Sequence, residues 1–379
     1  MRQMLTAALL CGASVLHAST GSGPGPHEDS IAGAVFAATN DVQRNEVVMY
    51  TRSETGKLKY VGNFATDGRG EGGINDPLQA EHSLILSPDH KLLLVVNAGS
   101  STISVFAVYS NTLSLLGKKS TEGGNPVSIS MHGDVVYVAN VGGTYHTAGY
   151  HLKPWGEMEF IPNSKQPLSS LDTEPGAIAF SPDGTKLIVT ERQTSKIDVF
   201  SVAADGSLTN PVANAAQGIE TFGASFAPSG ALLVSEAGSG DVSSYGINSD
   251  NTLSVITSKS PSSGAATCWV TPGGAYAYAT SAITSSISQY QLGSNGELTS
   301  NGIILTEPGT QKAIFPPVGV TSFPLDIEIT PDNQFIYVVY SALGKVIGYQ
   351  VGSDGKLTKV ASVSPYGGTQ IGVEGLAAY

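Results

Sequence analysis

The chain has 379 residues, of which only 13% are charged, with 45 glycines and a formal net charge of −12. The acidic balance argues against nucleic acid and anionic membranes as partners. Length admits two average domains or one large all-β domain. The abundance of Gly, Ser, Thr and Val, with no long stretch of 3.6-residue apolar period, favours many short strands over helices.

The amino terminus reads as a secretory signal over residues 1–18. Arg2 supplies the positive charge, residues 4–15 are mostly apolar, and Leu16-His17-Ala18 forms a cleavage site before Ser19. This predicts a secreted, extracellular protein. The apolar stretch is too short to span a bilayer and no other candidate membrane span exists. Leu9-Leu10 before Cys11 lacks the small residue expected ahead of a lipidated cysteine. Loss of the signal removes Cys11 and leaves Cys268 alone, so no internal disulfide is expected and stability rests on core area. There is no Asn-x-Ser/Thr sequon. Residues 19–30, rich in Gly, Pro and Ser, read as a flexible leader, and residues 31–379 as one domain.

From residue 31 onward one period dominates. An aromatic residue ends a strand, and about eight positions later a large apolar residue opens the next. The pairs are Tyr50 and Leu58, Phe106 and Leu113, Tyr150 and Met158, Phe200 and Leu208, Tyr245 and Leu253, Tyr290 and Leu298, and Tyr349 and Leu357. Turn chemistry recurs ahead of the last six: Pro88-Asp89, His132-Gly133-Asp134, Pro182-Asp183-Gly184, Pro228-Ser229-Gly230, Pro272-Gly273-Gly274 and Pro331-Asp332. Repeats of roughly 40 to 60 residues, each with four strands, predict an all-β, seven-bladed β-propeller of antiparallel blades. The first unit lacks an innermost strand before Ala34, and the chain ends in one with nothing after it, Glu374-Gly375-Leu376-Ala377-Ala378-Tyr379. The carboxyl-terminal strand is therefore expected to join the first blade and close the ring.

Two insertions interrupt the period, residues 66–80 and 306–323, and both are expected on one rim. The glycine-rich run Gly68-Arg69-Gly70-Glu71-Gly72-Gly73 opens no helix and so offers no phosphate cradle. The end-of-strand-two positions Asn40, Asn97, Asn140, Glu191, Glu236, Ser281 and Tyr340 are expected at the channel mouth. The strand-one starts bring Glu81, His82, Glu174, Asp326 and Glu374 nearby. Glu81 and His82 read as a candidate acid–base pair, because a carboxylate can orient an imidazole that titrates near neutrality. Glu191 and Glu236, on adjacent blades, are candidates for facing carboxylates that raise one pKa or hold a cation. These four form the candidate catalytic set. Asn97, Asn140, His146, Arg192 and Tyr340 form the candidate ligand-binding set. No cofactor is expected, although the acidic mouth leaves room for a divalent cation. Two histidines five apart, His146 and His151, are a weak metal signal without a third ligand. Cys268 reads as a small buried hydrophobe.

Several segments resemble the seven-bladed lactonase-type propellers, a group including propeller 6-phosphogluconolactonases and fungal 3-carboxymuconate cyclase-like proteins, here in its extracellular branch. They are Leu86-Ser87-Pro88-Asp89, Val95-Val96-Asn97-Ala98-Gly99-Ser100, Asn125-Pro126-Val127-Ser128, Leu233-Val234-Ser235-Glu236-Ala237, Ala265-Ala266-Thr267-Cys268-Trp269-Val270 and Glu374-Gly375-Leu376-Ala377-Ala378. The resemblance implies hydrolysis or isomerisation of a lactone, cyclic ester or unsaturated carboxylic acid. In the phosphogluconolactonase branch the fourth inner strand opens with a Cys-His-Ser-Ala run and the fifth with Gly-Pro-Arg-His. Here those positions read Glu174-Pro175-Gly176-Ala177 and Thr221-Phe222-Gly223-Ala224, without the His and the Arg. The alternative is a non-catalytic extracellular propeller that binds a small molecule, glycan or protein surface through its loop-rich face. A monomer is expected in either case.

Overall fold

The computed structural model describes residues 30–73, 76–142, 146–309, 311–312, 320–364 and 372–379. The expected signal and nearly all of the expected leader lie outside the described residues. Seven four-stranded antiparallel sheets stand around a central channel. Blade one comprises Leu376–Ala378 innermost, then Ile31–Ala38, Glu46–Ser53 and Leu58–Ala65. Val35 pairs with Ala378 and Ala37 with Leu376, so the last strand closes the ring as expected. Blades two to seven follow in chain order, each running from its inner to its outer strand. In blade four, Leu208 makes only a lone bridge to Val202, and the fourth strand is Val212–Ala215. Pro211, which has no N–H for the ladder, separates the two.

Strand two of each blade is buried on both faces, and the two-residue alternation of a strand divides its side chains between neighbours. In blade one, Val35 and Ala37 pack against Phe335 and Tyr337 of blade seven, while Ala34 and Phe36 pack against Leu93 and Val95 of blade two. The same division gives each of the seven blade interfaces its own apolar cluster. Cys268 is buried between blades six and seven, and its thiol donates to the Ala266 carbonyl. On the turn face, Ser87, Ser181 and Thr330 donate to Asp89, Asp183 and Asp332 two residues on. These bonds fix the turns that end strand one.

The starts of the inner strands set up the channel. Six non-glycine residues there have positive φ: His82, Asn125, Glu174, Glu220, Ala266 and Phe323. In five blades a register shift follows at once, as between Thr221 and Ala224 and between Thr267 and Trp269. Each such bulge turns backbone N–H groups out of the ladder and towards the channel.

Candidate functional site

Residues 76–81, the end of the first insertion, cross the loop-rich mouth and enter the channel. They touch blades on opposite sides. The Leu78 N–H donates to Glu374 Oε2 of blade one at 2.8 Å, and the Glu81 N–H to the Gly176 carbonyl of blade four at 2.8 Å. The Trp269 indole of blade six donates to the Ala80 carbonyl at 3.3 Å. Upstream, the insertion lies tight on the blade tops: a Cβ on Gly68 would stand 2.3 Å from Asn97 Cγ, so only glycine fits there.

Glu81 is the centre of this plug. Its Oε1 accepts the Val270 N–H at 3.0 Å and its Oε2 the Ala224 N–H at 2.7 Å, both freed by bulges on the far side of the channel. Burial pushes its carboxyl well above the usual range, opposed by those two hydrogen bonds. Both oxygens are thus committed to backbone. Among the described residues no hydrogen bond or ion pair joins Glu81 to His82, which lines a separate cavity of about 280 Å³ at the turn-side end of the channel. That corrects the expected Glu81–His82 acid–base pair. His82 has a φ of 64° just ahead of the strand, a kink that sets its side chain apart from that of Glu81, and burial lowers the imidazole to about 4, leaving it neutral at pH 7.

The expected pairing of Glu191 with Glu236 across the mouth is also corrected. Each carboxylate turns into its own blade and ties down the connection before strand one. Glu191 accepts from the Ser169 N–H at 2.9 Å and hydroxyl at 2.7 Å, and from Thr194. It shares the Ser169 N–H with Asp198, which burial and the Glu191 charge push up to about 8. Glu236 accepts from the Gly218 N–H at 2.7 Å, Ser243 at 2.8 Å and Tyr245 at 3.3 Å. Asn97, Asn140 and Tyr340 occupy the same structural position and are fully buried, which corrects their assignment to the channel mouth. Asn97 bonds Asn45, Thr102 and Ser104, Asn140 donates to the Thr121 carbonyl, and Tyr340 meets Tyr349 hydroxyl to hydroxyl at 2.7 Å. His146 opens the third strand of blade three and adjoins residues 143–145, outside the described residues. His151 pairs with Asp134 at 3.0 Å. Among the described residues no group of three or more His, Cys, Asp or Glu is arranged to hold a metal ion.

Of the predicted ligand-binding set, Arg192 is the residue found at the mouth. Its Nη1 donates to Gln79 Oε1 at 2.6 Å and its Nη2 to Glu174 Oε2 at 2.9 Å, and its guanidinium lies 5.7 Å over the Phe222 ring. Beside it lie two acids, Asp76, which accepts the Gln79 N–H at 2.9 Å, and the buried Glu374, whose Oε2 accepts the Leu78 N–H while its Oε1 has no hydrogen-bond partner among the described residues. Burial raises Asp76 to about 6, opposed first by Arg192 and then by Glu374. Burial, Asp76 and Asp326 hold Glu374 well above the carboxylate range. Gln79 is exposed, and with Oε1 held by Arg192 its amide NH₂ is directed away from that bond. Asp76 escaped the sequence reading because it lies in an insertion outside the repeat.

The family described as "Lactonase, 7-bladed beta-propeller" matches residues 40–144, 144–271 and 223–369, overlapping as an internal repeat would. No curated protein matches. Among solved structures, a candidate 6-phosphogluconolactonase from Bacteroides fragilis superposes with a TM-score of 0.67 at 18% identity, covering 94% of this chain and 100% of that one. Its counterpart from Bacteroides uniformis gives 0.69 at 17%, covering 92% and 99%. The periplasmic gluconolactonase of Pseudomonas aeruginosa gives 0.65 at 16%, covering 90% and 98%. At these identities the structures speak for the fold, and the sequence matches speak for the family. The chain belongs to the seven-bladed β-propeller lactonase family.

Proposed function

We propose that this propeller hydrolyses a lactone or related cyclic ester at its loop-rich mouth, with Asp76 and Glu374 as the acid–base pair. The observation that carries the reading is the placement of these two acids beside Arg192, with Glu374 Oε1 left without a hydrogen-bond partner among the described residues. In hydrolysis the Asp76 carboxylate takes a proton from the attacking water. The protonated Glu374 supplies one to the alkoxide that leaves when the ring C–O bond breaks. The Gln79 amide N–H faces the carbonyl oxygen as charge develops there, and Arg192 holds Gln79 in place and lowers Asp76 towards its ionised form. Among the described residues the mouth carries no free cluster of cations to match a sugar phosphate, so a neutral lactone is the favoured substrate class.

The experiment is a panel of unphosphorylated and phosphorylated lactones with the wild-type chain and Asp76→Asn. Turnover reduced about 10²- to 10⁴-fold by the substitution supports the assignment. Turnover that Asp76→Asn leaves intact removes the pair from catalysis. The plugged channel favours a second reading, a secreted propeller that binds a ligand or protein surface without turning it over. Absence of turnover across the whole panel would favour that reading.

A further inference from the structure

The other end of the channel carries a second concave site. It lies between blades seven, one and two, where strand one meets its turn, and encloses about 280 Å³. Leu84, Leu86, Ile329 and Pro331 contribute apolar walls; Ser87, which donates to Asp89, and His90 also line it, as do two further polar side chains, Glu328 and His82. Among the described residues neither side chain has a hydrogen-bond partner in the protein, in contrast to Glu81, whose carboxylate oxygens are both engaged. No Lys or Arg lines the cavity. The charged groups behind it are acidic: Asp326, two residues along the same strand, and Glu81. The other titratable ring on the wall, His90, is stacked on Tyr379 at 4.8 Å.

We infer that this cavity binds a small organic ammonium ion, its N–H groups donating to the Glu328 carboxylate and the His82 ring nitrogen and its apolar body lying on Leu86, Ile329 and Pro331. A carboxylate with two more acids behind it and no cation beside it selects positive charge. The leucine, isoleucine and proline walls select a hydrocarbon body over a hydrated metal ion, for which two donors are too few. The size falls below the usual range of about 300–1,000 Å³ for drug-sized ligands, which limits the occupant to a short amine. A proton balance follows. In the empty site burial and Asp326 hold Glu328 up to about 8, so the carboxyl is mostly protonated at pH 7. The ammonium stabilises the ionised form, and its binding releases that proton to buffer.

The test is calorimetric titration of the full chain with butylammonium at pH 7, in two buffers of different ionisation enthalpy, repeated with Glu328→Gln. Expected are release of close to one proton, tighter binding at pH 8 than at pH 6, and at least tenfold weaker binding in the variant. The glutamine keeps the cavity's shape, and thermal unfolding of the variant confirms that it folds. Absence of binding, equal affinity in Glu328→Gln, or tighter binding of butyrate than of butylammonium each overturns the assignment. Asp76→Asn is expected to leave butylammonium affinity unchanged, which separates this site from the mouth. A parallel loss would overturn that separation.

Discussion

The two ends of the channel use the same residue type under opposite conditions. At the loop-rich end, both oxygens of Glu81 accept backbone N–H groups that the inner-strand bulges would otherwise leave unpaired. At the turn end, Glu328 is also desolvated, though less completely, and among the described residues it receives no hydrogen bond from the protein. Removal from water raises both carboxyls, so a raised pKa alone does not separate a structural acid from a binding one. The hydrogen-bond inventory separates them. An acid whose oxygens are filled by backbone holds the ring together, and one left unfilled in an open cavity is available to a ligand.

The largest expected effect comes from emptying the first kind. Glu81→Ala leaves the Ala224 and Val270 N–H groups buried without acceptors, at about 1–3 kcal/mol each. Denaturant unfolding should therefore show a loss of about 2–6 kcal/mol, and a loss below about 0.5 kcal/mol would mean that Glu81 is not a staple. Replacing carboxyl by amide sharpens the contrast, because its sign should differ between the ends. Glu81→Gln points an NH₂ at one of the two N–H donors and should destabilise by about 1–3 kcal/mol. Glu328→Gln loses no protein hydrogen bond and relieves a desolvated acid, so at pH 8 it should be neutral or stabilising by up to about 1 kcal/mol. Equal signs in the two variants would erase the distinction.

The ring was legible because a propeller repeats its strand pattern. The aromatic-to-leucine pairs and the Pro-Asp turns gave seven blades, and the partnerless last strand gave the closure now seen between Leu376 and Ala37. The site was less legible because its geometry depends on which way a strand residue faces after a bulge. Glu191 and Glu236 do end strand two, but that position looks into the blade interface, where an unpaired loop N–H awaits an acceptor. Glu374, Glu174 and Arg192 could be placed near the mouth from the repeat, since each sits at a fixed offset from a turn. Asp76 could not, because its insertion has no counterpart in other blades. A signal was present nonetheless: Asp76-Pro77 precedes Glu81 by only a few residues, at the end of a loop that must return to blade two.

The smallest effect is a pH dependence, and its sign follows from the direction of the shifts. Asp76, Asp326, Glu328 and Asp198 are raised to about 6, 7, 8 and 8, and Glu81, Glu374 and Glu236 are raised as well. For each, the folded state binds more protons than the unfolded state between the ordinary carboxylate value and the raised one. Stability is therefore greatest below about pH 4–5 for these groups and falls as pH rises towards 8. Exposed Asp89, Asp183, Asp205, Asp250 and Asp354 act in the other direction, since hydrogen bonds from neighbouring hydroxyls, backbone or lysine lower them. Their contribution is lost below about pH 4 and is small at the surface. The melting temperature should accordingly peak near pH 5 and decline steadily to pH 8, contrary to a plateau through neutrality. Glu328→Gln should flatten that decline by about 1 kcal/mol, a figure reduced because Glu328 is partly exposed in its cavity. Butylammonium at saturating concentration should flatten the wild-type decline in the same way, since it binds the ionised carboxylate. If the variant flattens the curve and the amine does not, Glu328 is a buried acid without a ligand, and the turn-side cavity loses its assigned occupant.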